Sequence, residues 1–262
     1  MIKLSQKLFQ AAEYLEYWLA QVDEHSLHPP FIYQFYTEII KPAKLEKDPL
    51  AKLRKQLLKD QTLINSQPIG AASTTGRRDR TVADIASNSI TKPKYAALLT
   101  RLAGASKANT IIELGTSLGL QTLYFAEACP QAKIITFEGN KALVNYASTL
   151  FNSKEQKNIQ IEEGDIDLTL PEQIDKLPVL DFIFIDANHK KVPTLSYFYT
   201  LLKKCGSGSI IVLDDIHWSS EMKKAWQEII AHPDTTVTID LYQLGIVLIK
   251  PELPKQHWVL TF

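Results

Sequence analysis

Residues 111–119 read Ile111-Ile112-Glu113-Leu114-Gly115-Thr116-Ser117-Leu118-Gly119, an apolar run that meets an acid and passes through glycines into a helix-forming segment. Four later runs also end on acids: 134–137 before Glu138, 159–161 before Glu162-Glu163-Gly164-Asp165, 182–185 before Asp186, and 210–213 before Asp214-Asp215. Runs of about four apolar, often β-branched residues read as strands buried on both faces, and the segments between them have helical length, so a parallel sheet is predicted. In such sheets ligands sit beyond the carboxyl ends of the strands. The acids therefore converge on one rim, where their repulsion is tolerable only beside hydroxyls, cationic groups or a metal ion.

The intervening helices are predicted at 118–128, 141–151, a shorter one after Leu170, 193–204 and 219–231. Right-handed crossovers then give an α/β fold with a doubly wound sheet. Lys203-Lys204-Cys205-Gly206 closes one helix with cations against the negative end of its dipole and a glycine suited to a left-handed cap. Segments 236–241 and 245–249 are too close for a helical crossover and should pair antiparallel, making a mostly parallel seven-stranded sheet.

Working outward to the amino terminus, Leu4, Leu8, Ala11, Ala12, Leu15, Trp18, Leu19 and Val22 recur at helical spacing, predicting a helix over 2–22 that packs its apolar face inward. His28-Pro29-Pro30 breaks it, 31–40 restarts a short aromatic-rich helix limited by Pro42, and 48–64 reads as a third helix. Residues 67–80 are rich in Gly, Ser and Thr and end in Arg77, Arg78 and Arg80, which reads as a loop. Thr81 or Asp84 opens the next helix, and Pro93 suits the first turn of another over 94–103. The expected division is a helical cap and linker over 1–80 and an α/β domain over 81–262.

Composition narrows the function classes. Lys plus Arg and Asp plus Glu number 29 each, so no overall basic field argues for nucleic acid. Two cysteines without metal-ligand spacing suit a reducing compartment. With no apolar run of membrane-spanning length and acids at Glu13 and Glu16, a cytoplasmic protein with no membrane partner is expected. Self-association stays open.

The turn after the first strand carries the chemistry. Gly115 permits a tight turn and close approach of a ligand, and Gly119 permits close helix packing. A dinucleotide fingerprint would place a glycine where Ser117 stands. The segment Glu113-Leu114-Gly115-Thr116-Ser117-Leu118-Gly119 resembles the first motif of class I S-adenosylmethionine-dependent methyltransferases, a Rossmann-like family, and the resemblance extends over about 81–250. It implies S-adenosylmethionine as cofactor, with Glu138 on the ribose hydroxyls, which a carboxylate accepts while rejecting a phosphate. It also implies Asp165 and Ile166 beside the adenine, and Glu113, Gly115, Thr116, Ser117, Gly119, Gly139 and Asp186 as further cofactor contacts.

A narrower resemblance joins 182–189 and 210–215 to metal-dependent O-methyltransferases of the catechol and macrocin types. It implies that Asp186, Asp214 and Asp215 hold a divalent ion, and hard oxygen ligands suit Mg²⁺. Three carboxylates on one rim would otherwise raise one another's pKa values. The alternative is that only Asp186 meets the ligand. Asp186 and His189 are the catalytic candidates: His189 stands where the catechol type has its lysine base, or it only orients the loop. Lys190, Lys191 and His217 are further candidates, and Trp218 either stacks on the acceptor or anchors the next helix. Ser89-Ile90-Thr91-Lys92-Pro93-Lys94 resembles the stretch over the methionine end of the cofactor.

The expected activity is methyl transfer to a hydroxyl of a small molecule. Rivals are a metal-independent methyltransferase acting on RNA or protein, and a cofactor-binding protein without turnover.

Overall fold

The first helix turns its sequence pattern inside out. The chain is described from a computed structural model over residues 2–65, 79–177 and 179–262. Helix α1 (Ile2–Ala20) buries Glu13 and Tyr17 and leaves Leu8, Leu15, Trp18 and Leu19 exposed. Polar bonds set this orientation: Glu13 meets His217 and Lys223, and Tyr17 donates to the Leu260 carbonyl at 2.7 Å. An apolar stripe shows that a helix has a sticky face, and specific buried bonds decided which way it points.

After α2 (Pro30–Phe35) the backbone widens into a π-helical turn over Tyr36–Ile40 and runs on as α3 (Lys41–Ala43), so the helix expected to stop at Pro42 passes through it. Such a turn resets the hydrogen-bond register just before the residue that lacks an N–H. Helix α4 (Ala51–Leu57) is shorter than the predicted 48–64. Asp60 ends the run, its carboxylate accepting the Thr62 N–H at 2.8 Å and its carbonyl the Ala83 N–H at 2.8 Å. Beyond it β1 (Leu63–Asn65) pairs antiparallel with β2 (Asp79–Thr81). Most of the predicted loop over 67–80, with Arg77 and Arg78, lies outside the described residues. Thr81 caps α5 (Val82–Ser89) in a reciprocal box with Asp84, and α6 (Pro93–Ala105) starts on its proline.

Eight strands, one more than expected, form the main sheet: β3 (Thr110–Leu114), β4 (Lys133–Glu138), β5 (Ile159–Glu163), β6 (Leu180–Ile185), β7 (Cys205–Asp214), β8 (Val237–Asp240), β9 (Leu244–Leu248) and β10 (Gln256–Val259). Their order is β10-β8-β9-β7-β6-β3-β4-β5. Strands β3 to β7 are mutually parallel, and β9 runs antiparallel to both β7 and β8. The added strand β10 lies parallel to β8.

The crossovers are α7 (Leu120–Ala128), α8 (Lys141–Ser153), α9 (Ile166–Ile174), α10 (Lys191–Leu202) and α11 (Ser220–Ala231). Helix α9 begins before Leu170 because Asp165 caps it. Gly206 is not a left-handed cap, since β7 already starts at Cys205 and the positive φ falls on Gly208.

Ile111 and Ile112 enter hydrophobic clusters on opposite sides of the sheet, as a period of two demands. Both faces of the sheet are thereby covered, and the crevice lies at its carboxyl edge. Strand order reverses beside β3, whose neighbours are β4 and β6, which places the crevice above these strand ends.

Candidate active site

Three strand ends are tied together at the crevice. The N–H groups of Gly115 and Thr116 both donate to the Phe137 carbonyl, at 3.0 and 3.1 Å, and the Asp186 N–H donates to the Leu114 carbonyl at 2.9 Å. Gly115 has φ 102°, and a Cβ there would collide with the Asp186 carbonyl oxygen. The glycine is demanded twice, by its backbone angle and by its neighbour. Gly119 has φ 79°, and a Cβ on it would meet the Phe151 ring at 2.6 Å. Its role is packing of α7 against α8.

Glu138 ends β4 with its carboxylate held by two backbone donors, the N–H of Ser117 at 2.9 Å and that of Asn140 at 2.8 Å. Burial raises its pKa and these donors oppose the rise. A cavity of about 240 Å³ opens beside it, lined by Gly115, Glu138, Gly139, Asp165, Ile166, Asp186 and His189, with Asn188 and Tyr197 closing one wall. Asp165 is exposed and spends one oxygen on capping α9 through the Asp167 N–H, at 3.0 Å. A narrower cleft meets this cavity at Gly115 and Asp186, and Thr116, Ser117, Gln121 and Arg54 line it.

Glu113 does not reach the rim. It shares the sheet face of Ile111, where its Oε2 accepts from the Thr122 and Thr136 hydroxyls while Oε1 is buried without a partner. Burial pushes its pKa to about 8. Alternation along β3 explains the displacement, because the residue before Leu114 must point away from the side that Leu114 faces. Thr116 is likewise buried, its hydroxyl 2.6 Å from that of Thr136.

The second half of the crevice is acidic. Asp214 is buried with Oδ1 unpartnered, and burial followed by the charges of Asp186 and Asp215 raises its pKa well above the carboxylate range. Asp215, at φ 57°, is raised by burial to about 6. His189 Nε2 stands 3.4 Å from Asp186 Oδ1. Burial works against the imidazolium, but Asp186 and the charges of Asp215 and Asp214 outweigh it and raise the pKa to about 9. The acids around His189 thus favour its imidazolium form, which suits a cation that orients the loop, whereas a base role requires the neutral ring. Among the described residues, no group of three or more His, Cys, Asp or Glu side chains is arranged to hold a metal ion. Asp186 adds to the rise at both Asp214 and Asp215, without the three forming a closed ligand set.

A further cavity of about 230 Å³ lies on the far side of Asp215, lined by Gln10, Lys92, His217, Trp218, Tyr242 and Gln243. Trp218 is half-exposed and faces this space, and its carbonyl accepts from the Gln10 amide at 3.1 Å. His217 lines this space with both ring nitrogens already engaged. Its ring nitrogens sit 2.9 Å from Glu13 and 2.7 Å from Asp240, and its ring stacks on Tyr242 at 5.4 Å. Lys191 pairs with Glu228 at 2.8 Å, and Lys190 caps α10 without a side-chain bond.

Sequence reasoning overlooked three groups. Gln121, in the first turn of α7, has both amide atoms buried and unpartnered. Arg54 is buried between Asp48, the Thr91 carbonyl and Tyr124. Gln10 and Tyr242 join α1 to the cavity wall. Only Gln121 carried a signal, standing two residues beyond Gly119 where a helix start faces the crevice.

Comparison with known proteins gives the family and the fold. A family model described as O-methyltransferase matches residues 75–239. A catechol O-methyltransferase of Niastella koreensis is 31% identical over 127 residues, 47% of this chain and 57% of that protein. The chain thus spans little more than half the length of this relative. A catechol O-methyltransferase of Mycobacterium tuberculosis is 26% identical over 165 residues, 60% of this chain and 69% of its own. The crystal structure of a Bacillus cereus O-methyltransferase with SAH shares the fold at a TM-score of 0.57 and 17% identity, over 83% of this chain and 97% of that one. Among the described residues no helix is long and apolar enough to cross a membrane.

Proposed function

The chain belongs to the O-methyltransferase family, and from that membership we propose that it transfers a methyl group from S-adenosylmethionine to a hydroxyl of a small molecule. The observation that carries this reading is the pre-held carboxylate of Glu138 facing a cavity that Gly115 and Asp186 join to a second, narrower cleft. One space suits the nucleoside, with Glu138 accepting the ribose hydroxyls and Ile166 against the base. The narrower cleft suits the amino-acid end, where Gln121 offers unspent donors and an acceptor.

The transfer is an in-line displacement: the sulfonium carbon–sulfur bond breaks, a carbon–oxygen bond forms, and the acceptor's hydroxyl proton must leave. Holding both partners in near-attack geometry is worth on the order of 7 to 11 kcal/mol. The cavity between Asp215 and Trp218 is the proposed acceptor site, with Trp218 and Tyr242 offering ring faces and Lys92 a cation. Mg²⁺ is proposed at Asp186, Asp214 and Asp215, and the unpartnered, buried Asp214 Oδ1 supports the donor chemistry. A bound divalent ion would act as a Lewis acid on the acceptor hydroxyl and compensate the charge of these acids. His189 serves as proton acceptor only in its neutral form. The helical segment over 1–80 is proposed as a cap on the α/β domain, with α1 supplying Gln10 to the acceptor wall.

Titration calorimetry with S-adenosylhomocysteine tests the cofactor reading, and absence of binding overturns it. Radiolabelled methyl transfer to a panel of catechols and sugar hydroxyls, with Mg²⁺ and with chelator, tests the rest. Binding without transfer would favour a protein without turnover, and transfer indifferent to chelator would remove the metal.

A further inference from the structure

The guanidinium of Arg54 stands in the wall of the narrower cleft with part of its donor set unspent. The residue is 8% exposed, and the cleft it lines with Ser117, Gln121 and Tyr124 meets the larger cavity at Gly115 and Asp186. A guanidinium carries five N–H donors in a planar fork. In Arg54 three are used: Nε donates to Asp48 Oδ2 at 2.9 Å, Nη1 to the Thr91 carbonyl at 2.6 Å and Nη2 to the Tyr124 hydroxyl at 2.9 Å. The second N–H on each of Nη1 and Nη2 has no acceptor among the described residues. Asp48 balances the charge, and its carboxylate also accepts from the Leu50 N–H at 3.0 Å and from the Tyr124 hydroxyl. Leaving charged donors unmet in a buried position is costly, and a cleft beside them gives an acceptor somewhere to sit.

The bonds that hold Arg54 also tie the cleft's walls together. Thr91 belongs to the stretch before α6, whose Ser89 hydroxyl lies 3.1 Å from that of Ser117, and Tyr124 stands one turn beyond Gln121 on α7. The cleft holds only about 20 Å³, room for a small polar group and not for a ring. A fixed cationic fork beside the unpartnered amide of Gln121 suits a carboxylate, which accepts parallel N–H bonds from a guanidinium. The cofactor proposed above carries a carboxylate at its amino-acid end. Resting on that reading, we propose that Arg54 recognises this carboxylate, so that the helical segment before the α/β domain supplies part of the cofactor site. Arg54 precedes residues 75–239, over which the family model matches, so the determinant comes from a part of the chain that the model does not reach.

Titration calorimetry with S-adenosylhomocysteine and with its decarboxylated analogue, in which hydrogen replaces the carboxyl group, tests the assignment. The parent chain should bind the first about tenfold more tightly, or better. Arg54→Gln should weaken S-adenosylhomocysteine by about tenfold or more and change the analogue by less than about twofold. Arg54→Lys, which keeps the cation and loses the fork, should fall between parent and Gln variant, and it carries the test if circular dichroism shows the Gln variant unfolded. A residue that only braced the fold would weaken both ligands alike, and that result overturns the proposal. It is equally overturned by a parent that binds the two ligands equally, or by folded variants that hold S-adenosylhomocysteine as the parent does. A parent that binds neither ligand overturns the cofactor reading itself, and this inference with it.

Discussion

The backbone N–H of Ser117 donates to the carboxylate of Glu138 at 2.9 Å, so the glycine turn after β3 and the acid ending β4 form one unit before any ligand arrives. A residue that is already oriented loses little freedom on binding. Glu138→Ala should therefore weaken S-adenosylhomocysteine binding 10- to 100-fold, about 1.4 to 2.8 kcal/mol. Calorimetry reads the change, and unchanged affinity would remove Glu138 from the ribose site.

Glu113 should imprint a pH dependence on stability. Its pKa is raised by burial from 4.5 to about 8, so below pH 4.5 it is neutral in folded and unfolded chains alike. Between pH 4.5 and 8 the unfolded chain releases this proton and the folded chain keeps it. Stability thus falls with rising pH by about 1.4 kcal/mol per unit from this group, and levels above 8. Glu113→Gln should lack that slope, and urea midpoints of the two proteins at pH 5 and pH 8 should converge at the lower value and separate at the higher.

Asp214 combines an unpartnered oxygen with two carboxylate neighbours that raise its pKa. In chelator, Asp214→Asn should melt higher than the parent protein at pH 8, because a carboxyl whose ionisation burial opposes is gone. Excess Mg²⁺ should stabilise the parent, by about 2.7 kcal/mol at a hundredfold excess over its dissociation constant, and leave the variant unmoved. Equal response of both proteins would remove Asp214 from the metal site.

Glu13 is the buried member of a cluster with His217 and Lys223, and removing one partner strands the others. Glu13→Ala should cost about 3 to 5 kcal/mol in global stability, or release α1 alone with the same local cost. Hydrogen exchange separates the two, since the second outcome unprotects residues 5–20 and leaves β3 to β7 unchanged.

What was legible in the chain follows from which forces were local. The parallel strands were readable because a strand buried on both faces must be apolar throughout, and Glu138 and Asp186 followed from where those runs stop. Glu113 was misplaced because its run was read as ending on it, whereas Leu114 continues β3 and alternation turns the carboxyl beneath the sheet. The outward stripe of α1 was unreadable because Glu13 finds its partners some 200 positions away, at His217 and Lys223. Strand β10 escaped for a similar reason: His257, Trp258 and Val259 have strand character, but only the edge of β8 gives them somewhere to pair. The raised pKa of His189 depends on Asp186 in its own loop and on Asp214 and Asp215 at the distant end of β7, which no local pattern ties to it.

One stitch joins the two extremes of the described chain. Val22, just beyond α1, donates to the Val259 carbonyl at 2.9 Å and accepts from the Thr261 N–H at 3.0 Å, and Tyr17 reaches Leu260. These contacts span more than 230 positions, the kind of closure that costs most entropy and forms late. Helix α1 is thus seated late: it can dock only after β10 has joined β8, and removing residues 256–262 should free it while the central sheet persists. Completion of the cavity wall at Gln10 and Trp218 in this way waits on a sheet that has already closed.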